Sequence, residues 1–134
     1  MVGKIPRKIR DKNSFRNYLK KAEQFVNTMN DCMSKKQYDS AALNGIHAII
    51  SSIDALLVFR AGVVSSSQNH VDAVKLLLEI VIDPEAKSYT KHALAVIKLK
   101  TTVEYFDSLT TEKQADEIVK HTTRFFEWAK LKLP

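Results

Sequence analysis

The stretch from Ser40 to Val81, SAALNGIHAIISSIDALLVFRAGVVSSSQNHVDAVKLLLEIV, constrains the fold more than any other part of the chain. Its apolar residues recur every three or four positions, the period that stacks side chains on one face of an α-helix. Ala42, Ile46, Ile49, Ile50, Ile53, Leu56 and Leu57 predict a helix from about Asp39 to Ala61, with Asp39 or Ser40 as its cap. Gly62 follows, suited to the left-handed conformation that ends helices. Gly45 and the nearby alanines would let a second helix approach closely. After a polar loop, Val63–Asn69, the residues Val71, Val74, Leu77, Leu78 and Val81 predict another helix over Gln68–Ile82.

The same period runs through the rest. Phe15, Tyr18, Leu19, Ala22, Phe25, Val26, Met29 and Met33 predict a helix over Ser14–Met33, with Ser14 as N-cap. Asp83-Pro84 marks a break and a restart, because proline at a helix start loses only an N–H that has no partner there. The next helix is predicted over Pro84–Phe106, with Tyr89, Ala93, Val96, Ile97, Val103 and Phe106 inward. Thr111 and Gln114 have capping-box spacing ahead of a last helix whose stripe is Ile118, Val119, Phe125, Phe126 and Ala129. No segment reads as a strand, and three Gly and three Pro are too few for a turn-rich sandwich. The expected fold is all-α: an up-and-down antiparallel four-helix bundle with an additional short helix. Residues 14–134 form that domain, preceded by a basic arm over residues 1–13.

Charge separates these two parts. Residues 1–21 carry eight basic side chains against Asp11 alone, a balance of +7, whereas the remainder carries 13 basic and 14 acidic ones. Such an arm suits nucleic-acid phosphates through counterion release, or simply solvates the end of the chain. Cys32 is the only cysteine, so no disulfide forms within the chain and a reducing cytoplasm is the expected setting. Neither a leader nor a membrane-spanning apolar run is read from the sequence.

Polar residues interrupt the apolar pattern at a few places. Asn44, His47, Ser51 and Asp54 follow one another at spacings of three, four and three, hence share a helix face. Arg60 lies near the end of that helix and His70 at the start of the next; a hairpin would bring both to its loop end. Arg, His, Ser and Asn around one cleft can hold a phosphate, and His can move a proton. Lys100 stands on the inward stripe of the fourth helix, with Glu104 four residues on as its partner and Tyr105 beside it. His92 and His121 read as isolated surface residues. No two histidines have i, i+4 spacing, so neither a metal nor another cofactor is expected.

In their order, these segments resemble the HEPN (higher eukaryotes and prokaryotes nucleotide-binding) domain family, over nearly everything from Phe15 to Leu133. The resemblance rests on RNYLKKAEQFVNTM, on AALNGIHAIISSIDALLVF with its Ala55-Leu56-Leu57 run, on the His-led HVDAVKLL, on LKTTVEYFDSLT, and on the closing ADEIVKHTTRFFEWAKLKL. Ribonuclease members of the family carry an Arg with a His four to six residues later, in a cleft between two protomers. The matching place here holds Lys100, then Glu104 and Tyr105, and no Arg has a His at that distance. Lysine keeps the charge without the bidentate fork of arginine. The resemblance therefore implies a non-catalytic, homodimeric bundle of the nucleotidyltransferase-associated type. Such a bundle is a nucleotide- or RNA-binding module or the companion subunit of a small nucleotidyltransferase. No catalytic residue is assigned. The alternatives are a metal-independent ribonuclease of toxin type, using Lys100, His70 or His47, and a pure protein-interaction bundle.

Overall fold

A helix that is apolar on nearly every side has to be surrounded, and Tyr38–Ala61 is. The computed structural model describes residues 4–134 and places this helix, α2, at the centre. Ala41, Ala42, Ile46, Ala48, Ile49, Ile53, Leu56 and Leu57 are fully buried. Contrary to the reading of the sequence, α2 is by length and composition apolar enough to cross a bilayer; 67% of its most apolar window is nevertheless buried inside the fold. The core uses that apolarity.

Three long helices cover α2. The first, α1 (Phe15–Ser34), runs antiparallel to it: Phe15 meets Phe59 edge-on at 5.0 Å, and Met29 lies beside Gly45. The last, α6 (Glu112–Leu131), runs in the direction of α2, with the Thr110 N–H just ahead of it donating to Asp39 Oδ1 at 2.6 Å. Ile118 and Thr122 of α6 sit over Gly45, where a Cβ would lie 2.8 Å from Ile118 Cγ2. The missing side chain is what lets these helices meet. Antiparallel to α6 lies α4 (Ala86–Ile97), whose Tyr89 stacks on Trp128 with centroids 5.2 Å apart. Together α1, α2, α4 and α6 make the up-and-down bundle, and the class is all-α.

Local chemistry sets the helix ends. Gly62 adopts φ 63° and closes α2 through its N–H to the Val58 carbonyl. Thr111 and Gln114 form a reciprocal capping box at the start of α6. Asn69 caps α3 (His70–Ile80) by accepting from the Val71 N–H. Ser14 precedes α1 without capping it; its hydroxyl donates instead to the Asp11 carbonyl, closing a 3-10 turn over Lys12–Ser14.

Two departures from the expected elements shape the candidate site. A small antiparallel sheet joins β1 (Arg7–Ile9) to β2 (Val63–Ser65), with Arg7 opposite Ser65 and Ile9 opposite Val63. The described part of the basic arm is thus folded; residues 1–3 of that arm lie outside the described residues. Because β2 and its loop carry the chain back along α2, α2 and α3 are not a simple hairpin. The end of α3 returns toward the end of α2, where Glu79 reaches Arg7 at 3.6 Å.

The second departure is a break in the helix expected over residues 84–106. Asp83 organises its start by accepting from the Glu85 N–H, and α4 begins only at Ala86. At Lys98 and Leu99 the chain redirects through a tightened turn, Leu99 N–H to the Val96 carbonyl, before α5 (Lys100–Tyr105). Lys100 opens α5 and pairs with Glu104 one turn on. Phe106, expected inward, is 61% exposed in extended backbone just past α5.

Candidate functional site

Four elements meet at α5. Lys100 and Glu104, one turn apart, form an ion pair at 2.7 Å with both side chains mostly covered. His47, from the middle of α2, points Nε2 at the other carboxylate oxygen from 3.9 Å. That is too long for a hydrogen bond but close enough for attraction when His47 is protonated. The Phe25 ring of α1 backs the His47 ring at 5.5 Å. His70, at the start of α3, faces the same group of charges.

Electrostatics sort these groups into roles. The hydrogen bond from Lys100 holds Glu104 below the usual carboxylate range, against the opposing effect of burial, with Lys100 and His47 charges assisting. Burial lowers the His70 pKa first, and the positive charges of Lys100 and His47 lower it further. His70 is therefore a neutral imidazole at neutral pH, able to accept or donate one proton. The cleft contains a fixed anion, a fixed cation and two imidazoles. Hollows open on both sides of α5. One, of about 400 Å³, is lined by Asn69, His70, Ile97, Lys100, Thr101 and Tyr105. The other, of about 430 Å³, is lined by Asp39, Ser40, Leu43, His47, Glu104 and Tyr105.

Of the residues singled out in the sequence, His47, His70, Lys100, Glu104 and Tyr105 come together here. Four others stand elsewhere. Asn44 donates to the Ser40 carbonyl of its own helix at 2.8 Å. Ser51 is buried within the bundle. Asp54 faces Lys21 and Arg10; burial pushes its carboxyl up to about 7, and those two cations only partly oppose the rise. Arg60 lies over Phe59 and toward Asp83, at the far end of α2, so it and His70 do not share a loop end.

One constellation escaped the sequence. His92 of α4 and His121 of α6 are not isolated: their Nδ1 atoms lie 2.8 Å apart. Glu117 Oε2 lies 3.5 Å from His121 Nε2 and favours a proton there, which leaves His121 Nδ1 to accept from His92. Burial lowers the His92 pKa, helped by the charges of His121, Arg124 and Lys120. The two histidines are 29 positions apart on separate helices, so no local spacing announced them. A hollow of about 620 Å³ adjoins them, floored by Tyr89 and Trp128. Its charged rim, Arg124 and Glu127, is water-exposed and of opposite signs, which makes it a weaker polar site than the half-buried group at α5. Among the described residues, no three His, Cys, Asp or Glu side chains converge as a metal site would require.

The HEPN domain model matches residues 15–132. The crystal structure of an archaeal HEPN homologue superposes with a TM-score of 0.65 at 18% identity, covering 88% of this chain and 96% of the other. No curated protein sequence matches significantly.

Proposed function

The chain belongs to the HEPN domain family, and we propose that it is a non-catalytic member that binds the phosphate of a nucleotide or RNA at the α5 cleft. One observation carries this reading: Lys100 is paired with Glu104 at 2.7 Å, in a half-buried cleft flanked by two hollows large enough for a small ligand. A cation so placed binds anions, yet α5 supplies neither an arginine fork nor a histidine for phosphodiester cleavage. The described part of the arm adds exposed Lys8, Arg10 and Lys12 for backbone contacts. Homodimerisation in the cytoplasm, or partnership with a small nucleotidyltransferase, fits the exposed Tyr105, Phe106 and Leu109 beside the cleft.

Binding of ATP and of a short single-stranded RNA to the purified chain, with Lys100→Ala as control, tests the reading. Co-expression with a small nucleotidyltransferase tests the partnership. Loss of affinity in Lys100→Ala is the expected result; no binding to either ligand by the folded wild type rejects the proposal.

A second reading draws on His70. A neutral imidazole beside a lysine is a competent general base, as a metal-independent ribonuclease would need. RNA cleavage in EDTA that disappears in His70→Ala would favour that reading; intact RNA at high protein concentration removes it.

A further inference from the structure

The α5 cleft already contains an anion. Glu104 directs Oε2 to Lys100 at 2.7 Å and Oε1 toward His47 at 3.9 Å. One carboxylate thus faces both groups that a ligand phosphate would use. A carboxylate and a phosphate present acceptor oxygens in similar arrangement, so the same donors serve either. Glu104 is held ionised by that lysine.

We propose that Glu104 is a built-in counter-anion standing in the phosphate position, so that a ligand reaches Lys100 and His47 only by displacing it. This rests on the phosphate-binding reading above and adds a selectivity to it. A carboxylate carries one negative charge, as does an internal phosphodiester, so exchanging one for the other gains no charge. A terminal phosphate carries about −1.5 to −2 at neutral pH. Exchange is therefore favoured for a phosphomonoester end, on a nucleotide or an RNA, and not for the body of an RNA strand.

The surroundings permit the exchange. The helix bearing Glu104 is six residues long, and none of its residues is fully buried, although Val103 leans on the core. The hollow on the His47 side has room for the displaced carboxylate.

The test compares one short single-stranded RNA with a 5′-phosphate or a 5′-hydroxyl, and AMP with adenosine, on wild type, Glu104→Gln and Glu104→Ala. Wild type should prefer each phosphorylated member by about tenfold, and removing the Glu104 charge should tighten the phosphorylated RNA and AMP by about tenfold, because they no longer displace an anion. AMP against RNA tells which source of terminal phosphate is bound. Equal affinity of wild type for phosphorylated and unphosphorylated RNA overturns the proposal, as does unchanged affinity of both variants for the phosphorylated ligands, while leaving phosphate binding intact. Absence of binding to all four ligands by wild type and both folded variants overturns the phosphate-binding reading itself. The wild-type comparison needs no variant to fold.

Discussion

Gly45 and His47 stand two residues apart on α2, separated by about 200° of helix, and they belong to opposite kinds of structure. Around Gly45 the packing is dry and tight. Met29, Ile118 and Thr122 all come within 3.1 Å of where a Cβ would be. Around His47 lie a hollow, an ion pair and a short helix with no fully buried residue. The difference teaches that one helix both fixes the bundle and supplies the cleft: rigidity on one face lets the other be polar and open. Residues facing the first should govern stability, and residues facing the second should govern binding.

The strongest way to break this division is to overfill the dry face. Gly45→Leu should cost ~3 kcal/mol or more, the upper end for overpacking, read as a fall in the urea midpoint. A small change there would mean that α2 and α6 are not held as closely as Ile118 implies.

Next comes Asp54, a largely covered carboxyl two turns beyond His47 on the same face of α2, set against Lys21 and Arg10. Its folded pKa, about 7, lies above its unfolded value, so the folded state holds the proton more tightly. Stability from this group is present at low pH and lost as pH rises from about 4 through 7. Asp54→Asn should therefore raise stability by ~2 kcal/mol at pH 8, with the gain shrinking toward pH 4, measured by denaturant melts across that range. A gain independent of pH would show that Asp54 is solvated.

His92 behaves in the opposite sense. The His92 pKa is lowered on folding, so its contribution is complete above the unfolded value near 6.5 and declines as pH falls below it. His92→Gln should flatten the loss of thermal stability between pH 7 and pH 5, an effect under ~1 kcal/mol for a partly exposed group. An unchanged pH profile would remove this role.

Smallest in stability should be the cleft. Lys100→Ala is expected to lower stability by only ~0.5 kcal/mol, as for other partly exposed ion pairs, while abolishing phosphate binding. A large fall in melting temperature would make Lys100 a structural residue and erase the contrast with Gly45.

What the sequence made legible follows the same division. Gly62 and the Thr111–Gln114 box were readable because each is encoded within a few consecutive residues. The apolar stripes were readable because helical period is local. Lys100 announced itself as a charge on an inward stripe, although the break at Lys98 and Leu99 that precedes it contains no Gly or Pro. The β1–β2 pairing joins three-residue strands 56 positions apart at Lys8 and Val64, too short for periodicity and too distant for local chemistry. That pairing is also why the site was only half legible. His47, His70, Lys100, Glu104 and Tyr105 were chosen by type, but the return of the chain along α2 decides which of them meet. Phe106 fails for a related reason: the helix meant to carry it inward ends one residue earlier.

The turn between α1 and α2 carries a last consequence, for the order of events in folding. Only Lys35, Lys36 and Gln37 separate two helices of 20 and 24 residues, and Lys36 takes a left-handed φ of 58° to make the turn. So short a closure costs little chain entropy, so this helical pair should assemble early, within the transition state. The β1–β2 clasp, which waits on a long closure, should form late. Substitutions in the clasp, such as Ile9→Ala or Val64→Ala, should then speed unfolding and leave the refolding rate nearly unchanged, whereas Met29→Ala should slow refolding.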